Sequence, residues 1–199
     1  MNDKIWLRYT INADLYRAFG RKVSKKQKFL MLFNLINQGP KYISYMRLAR
    51  YHNIRNNKLF AKFFEFLIMR MSVKYGVEID YRTEIGEGLS IPHFHNITIA
   101  GAATIGKNCT ILQGTTIGSN LFKARYEAAS IGDNVLLGAG SKIIGPVVIG
   151  NNVTVGANSV VVHDIPDNAV VAGSPAKVIS YKPAVKINQD YKSYEDFIL

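Results

Sequence analysis

From Gly76 onward, the apolar positions follow a period of six. Aliphatic residues recur at Ile79, Ile85, Ile91 and Ile97, and after a shift of two at Ile99, Ile105, Ile111 and Ile117. They resume at Ile131, Leu137, Ile143, Ile149, Val155 and Val161. Glycine follows many of them, as in Ile85-Gly86, Ile105-Gly106, Ile131-Gly132 and Ile149-Gly150. Four positions after the aliphatic residue stands a small or β-branched one, at Cys109, Thr115, Val135, Ser141, Val147, Val153 and Ser159. A helix would need a period near 3.6 and a half-buried strand a period of 2, so neither accounts for the register. A three-sided coil does. Each hexad supplies one short strand and one corner, the aliphatic side chain fills the axis, and the glycine eases the turn. Three hexads make a coil, coils stack at the parallel-strand spacing of about 4.8 Å, and the segment from Ile79 to Val170 supplies roughly five of them. The period fails once: Ile117 and Ile131 stand 14 residues apart, so about eight residues within Ser119 to Ser130 leave the coil as a protruding loop.

Before Gly76 the pattern is helical. It predicts helices over Lys25 to Gln38, with Ser24 as N-cap and Gly39-Pro40 as the stop, over Tyr42 to His52, and over Asn57 to Lys74, ended by Gly76. Their aromatics and leucines are expected to pack the helices on one another and on the coil. The predicted fold class is thus α+β: a helical part over 1–76, a left-handed parallel β-helix with one protruding loop over 77–180, and a tail over 181–199.

Charge sharpens this division. Residues 1–76 hold 16 Lys and Arg against Asp3, Asp14 and Glu65, a net +13, whereas residues 77–199 hold 9 basic and 11 acidic residues, a net −2. The basic part is read as a folded cap whose cationic face is solvated or attracts an anionic ligand. Amphipathic helices lying on an anionic membrane surface are the alternative. No nucleic-acid-binding motif accompanies the charge. A single cysteine, Cys109, excludes an internal disulfide and falls on an inward hexad position. The first residues show no secretory signal and no window is apolar enough to span a bilayer, so the expected location is cytoplasmic, with the inner face of the membrane as a variant.

The hexads, the stretch Gly88-Leu89-Ser90-Ile91-Pro92-His93-Phe94-His95-Asn96-Ile97, the run Gln113-Gly114-Thr115-Thr116-Ile117-Gly118 and the ending Ala172-Gly173-Ser174-Pro175-Ala176-Lys177-Val178-Ile179 together resemble the serine acetyltransferase branch of the hexapeptide-repeat acyltransferases, over about residues 76 to 180. The resemblance implies acetyl-CoA as donor, homotrimers, and active sites in grooves between protomers. It puts the general base at His93, since a hydroxyl is a poor nucleophile until a base takes its proton, and an orienting carboxylate at Glu78, with Asp80 as the fallback. His95 is expected on the same side of a strand as His93, lining the acceptor site with Asp80 and the loop residue Tyr126. Backbone N–H groups at Gly118 and Ser119 are candidates for the oxyanion. Ala139 and Ala157 would leave room for the pantetheine arm, and Lys177 would meet a CoA phosphate or the adenine. His93 and His95 lack a third histidine, so no metal is expected; His52 and His163 are read as structural.

Two positions depart from the serine-specific pattern. Ala128 stands where the family carries a second histidine, and Pro92 stands where it carries an aspartate before the catalytic histidine. The resulting expectation is an O-acetyltransferase acting on a hydroxyl of a sugar in capsule, lipopolysaccharide or other surface-glycan synthesis. Serine O-acetylation is the alternative, and a non-catalytic β-helix that binds or scaffolds is the alternative of another class.

Overall fold

The computed structural model describes residues 3–33, 37–122 and 126–182. Among the described residues four helices come first: α1 (Asp3–Phe19), α2 (Lys25–Phe33), α3 (Gln38–Ile54) and α4 (Lys58–Tyr75). Ser24 caps α2 as expected, in a reciprocal box where its Oγ accepts from the Gln27 N–H and the Gln27 side chain accepts from the Ser24 N–H. Gly76, at φ 66°, ends α4 in the left-handed conformation and donates its N–H to the Ser72 carbonyl. Two expectations fail here. Helix α1 falls where none was predicted. Gly39-Pro40 is not a stop but part of the first turn of α3, where the missing proline N–H costs no intrahelical bond.

From Val77 the chain winds into a three-sided parallel β-helix. One face stacks Val77–Ile79, Ile97–Ile99, Thr116–Gly118, Lys142–Ile144 and Val160–Val161. The second stacks Glu84–Ile85, Thr104–Ile105, Ser130–Ile131 and Val148–Ile149, and the third stacks Thr110–Ile111, Leu136–Leu137, Thr154–Val155 and Val170–Gly173. An antiparallel strand, Ala176–Ser180, closes the third face. The predicted hexad residues point inward: Ile97, Ile111, Ile117, Ile143 and Val155 are fully buried, and the second set, Cys109, Thr115, Val135, Ser141, Val153 and Ser159, lines the corners from inside.

The strand register measures each coil. Glu78 stacks on Thr98, Thr98 on Thr116, Thr116 on Lys142 and Lys142 on Val160. An ordinary step spans 18 residues, as from Thr98 to Thr116. The step from Thr116 to Lys142 spans 26, and its eight extra residues are the excursion between Gly118 and Ser130. The step from Glu78 to Thr98 spans 20. Since Ser90 still bridges to Thr110 in register, the two extra residues lie between Ser90 and Ile97. That widened corner carries His93 and His95.

The turn chemistry differs from expectation. Glycines after the aliphatic residue, such as Gly86 and Gly132, are not in the left-handed region; a Cβ there would strike the backbone of the next coil, within 2.7 Å of Gly106 and 2.9 Å of Gly150. They permit close stacking. The left-handed corners fall to other glycines, Gly88, Gly114 and Gly140, and to asparagines: Asn108, Asn134, Asn152 and Asn168 have φ of 57–61°, and each of the first three donates from Nδ2 to the Oδ1 of the next at 3.0–3.1 Å.

A buried polar clasp joins the helices to the first two coils. Arg47 of α3 pairs with Asp14 of α1 at 2.9 Å and donates to the Ile85 and Gly86 carbonyls at 2.7 and 2.6 Å. Asp14 Oδ1 accepts the N–H groups of Gly88 and Leu89. Arg17 donates to the Gly88 and Asn108 carbonyls and to Thr110 Oγ1. Burial pushes the Asp14 carboxyl above its ordinary value, against the opposing pull of Arg47 and the two backbone donors.

Candidate functional site

His93 and His95 are both exposed on the widened corner. The segment from Pro92 to Asn96 is a bend rather than a strand, so the expectation that the two imidazoles share one side of a strand does not hold; the inserted residues break the alternation that would have imposed it. The bend is held from behind. Phe94 is buried against Tyr42 of α3, with ring centroids 4.8 Å apart, and the Tyr75 ring meets both Phe94 and His95 edge-on at 5.5 Å. The Asn96 N–H donates to the Tyr75 carbonyl. The first turn of α3 presses on the same corner, since a Cβ at Gly39 would lie 2.2 Å from the Ile91 carbonyl oxygen.

In front of the bend is a cavity of about 530 Å³. The coil contributes Ser90, His93 and His95, and the helical part contributes Arg17, Phe19 and Gln38. The helical part therefore forms one wall, a contribution that sequence reasoning did not anticipate.

The remaining candidates fall into three groups. One group stacks above the histidines. Gly114 N–H donates to the His95 carbonyl, Gly140 N–H to Gln113, and Asn158 N–H to Ala139. His95, Gln113, Ala139 and Ala157 thus climb one edge of the prism coil by coil. Ala172 continues above Gly156, where its Cβ lies 3.2 Å from a Cβ built on that glycine, and exposed Lys177 pairs with Ala172 on the closing strand. The edge from the histidines toward Lys177 is thus a track of stacked positions bearing two alanines at successive coils. Lys142, which the sequence did not single out, lies beside this track and donates to the Gly114 carbonyl at 2.5 Å and to Thr116 Oγ1 at 3.1 Å. Its basic character on an outward strand position was the available signal.

The second group comprises the carboxylates. Glu78 is exposed on the first strand, and among the described residues no hydrogen bond or ion pair joins it to His93. Asp80 has another partner. Arg82 grips it through two side-chain nitrogens at 2.6 and 2.9 Å and holds its carboxyl below the usual carboxylate range, which leaves it poorly placed as the fallback partner of His93. In the third group, Gly118 and Ser119 are half-buried where the excursion leaves the coil, and the Gly118 carbonyl already accepts from Gly145 N–H. Tyr126 is 85% exposed on the excursion; Lys123 to Arg125 lie outside the described residues.

His52 stacks on Phe60 and Phe64 at 5.1 and 5.9 Å, which accounts for it within the helical packing. Cys109 is 1% exposed, and burial pushes its thiol up to about 12, too high for a nucleophile.

Comparisons with known proteins bear on the family and the fold. The family described as bacterial transferase hexapeptide (six repeats) matches residues 128–163. A serine acetyltransferase of Haemophilus influenzae is 31% identical over 154 residues, which cover 75% of this chain and 57% of that protein. A solved serine acetyltransferase of Neisseria gonorrhoeae in complex with serine superposes with a TM-score of 0.70 at 32% identity, covering 86% of this chain and 68% of the other. A serine acetyltransferase in complex with CoA superposes at 0.67 and 27% identity, over 89% and 71%. The shared architecture is a helical part followed by a left-handed parallel β-helix. The chain spans about half the length of the curated relatives it matches, 57% and 46% for two of them.

Proposed function

Because this chain belongs to the hexapeptide-repeat acyltransferases, in the branch that resembles serine acetyltransferase, we propose that it transfers the acetyl group of acetyl-CoA to a hydroxyl acceptor, with His93 as general base. The observation that carries the reading is the widened corner: it presents His93 and His95 to a cavity of about 530 Å³ at the foot of an edge bearing Ala139 and Ala157.

In this reading, an imidazole nitrogen of His93 accepts the acceptor's hydroxyl proton as its oxygen attacks the thioester carbonyl. Glu78, which makes no bond to His93 among the described residues, is the carboxylate that the family resemblance assigns to favouring the charged imidazolium. Backbone N–H groups near Gly118 and Ser119 stabilise the developing oxyanion. Collapse of the intermediate breaks the carbon–sulfur bond, and the imidazolium returns its proton to the departing thiolate, giving an O-acetyl ester and free CoA. The pantetheine arm follows the track past Ala139 and Ala157 toward Lys177. His95 and Tyr126 line the acceptor side, and three protomers complete the groove.

The relatives are named for serine, and one of the solved structures holds serine, which favours L-serine over a sugar as the acceptor. A specific observation keeps the sugar hydroxyl as a second reading: Pro92 and Ala128 occupy the positions where the serine-specific pattern has an acid and a histidine. A panel assay separates the two. With acetyl-CoA as donor, L-serine should release CoA thiol well above the acceptor-free rate. Stimulation only by hexoses or amino sugars would transfer the assignment to the second reading, and no stimulation by any hydroxyl acceptor would contradict acetyl transfer itself.

A further inference from the structure

Helix α4 is two-faced in an unusual sense. Ala61, Ile68 and Met71 are buried against the rest of the protein. On the opposite side Leu59, Phe63, Phe66 and Val73, spaced by four, three and seven, form one stripe of the helix, and they are 79, 54, 50 and 84% exposed. Large apolar side chains gathered on a single outward face differ from the scattered exposed leucines of an ordinary surface and mark a contact site.

The charges around the stripe indicate what it contacts. Arg70 lies within it, Lys62 and Lys58 flank one side, and Lys74 flanks the other; all four are exposed. The only acid on the helix is Glu65, and it is paired to Lys62 at 2.8 Å. The whole 1–76 segment carries a net +13. A second copy of the same face would bring these cations against one another, so pairing of two such stripes is electrostatically opposed. An anionic lipid surface matches both features, with the rim attracting headgroups and the aromatics entering the acyl boundary. No helix among the described residues is long and apolar enough to cross a membrane. We infer that α4 lies in the plane of an anionic bilayer, docking the protein peripherally through Leu59, Phe63, Phe66 and Val73. The inference is independent of the acceptor.

The test is co-sedimentation of the full chain with vesicles of phosphatidylglycerol and phosphatidylcholine, and with phosphatidylcholine alone. The wild type should partition to the anionic vesicles roughly tenfold or more over the neutral ones. The F63S/F66S double variant, which replaces only outward side chains, should lose roughly tenfold in partition while retaining the wild-type melting temperature and acetyl-CoA turnover. The inference is overturned if anionic vesicles bind no better than neutral ones. It is also overturned if the double variant binds as well as wild type, which would leave only diffuse electrostatics, or if the variant instead lowers the sedimentation mass, which would show that the face holds a second copy.

Discussion

Asp14 and Arg47 show how much of this protein's architecture rests on single residues. Removing the Asp14 carboxylate leaves Arg47 buried with only the Ile85 and Gly86 carbonyls and strips two N–H donors of their acceptor. Asp14→Ala should therefore cost about 3–5 kcal/mol, read as a lower midpoint in urea unfolding; a loss under about 1 kcal/mol would show that the clasp does not hold the helices to the coil. Cys109 gives a second check. With its thiol at about 12 and 1% exposure, the native protein should not react with a disulfide reagent near about pH 8, and one thiol per chain should appear on denaturation. Thiol release from acetyl-CoA then reports turnover without background. The inward place of Cys109 was legible from its hexad position, whereas the motif around His93 singled that residue out without showing its place on the widened corner. The Arg17–Asp14–Arg47 clasp was not, because a search for apolar stripes passes over a helix face that buries Thr10, Asp14 and Arg17 beside Ala13 and Leu15.

At the level of elements, the repeat was readable because each coil of a solenoid meets only its neighbours, so local spacing specifies global register. The two-residue shift at Ile97 and the eight-residue excursion could be counted from the sequence, and both reappear as the 20- and 26-residue coils. What the corners use was not readable. The glycine after the aliphatic residue suggests a turn, yet here it marks close stacking, and the left-handed corners are shared between the asparagine ladder and Gly88, Gly114 and Gly140. This makes a directional prediction. Asn134→Ala, which loses bonds to Asn108 and Asn152 and forces alanine to φ 59°, should cost about 2 kcal/mol, and Asn134→Gly distinctly less. Equal losses in thermal unfolding would show that the hydrogen bonds, not the backbone conformation, set the cost. The expectation that the helical stripes all pack inward holds for Ile68 and Met71 but fails for Phe63 and Phe66. Hydrophobic spacing identifies an apolar stripe without identifying what will cover it.

Across the whole molecule, the helical part is a wall of the candidate site as well as a cap. Arg17, Phe19 and Gln38 face the cavity that His93 and His95 face, and Gly39 presses on the backbone that carries them. The charged clasp at the junction therefore fixes one wall of the candidate site against the coil. If the groove is completed by neighbours, the protein should sediment at three times its 22.2 kDa protomer mass; a monomer with full turnover would show that one chain suffices. The central claim is that the imidazole on the widened corner performs the proton transfer, and its most direct test is CoA release from acetyl-CoA with a hydroxyl acceptor by wild type and His93→Ala. A fall in kcat of about 10²- to 10⁴-fold with an unchanged melting temperature is the predicted result, and turnover near the wild-type rate in a folded His93→Ala protein would contradict it.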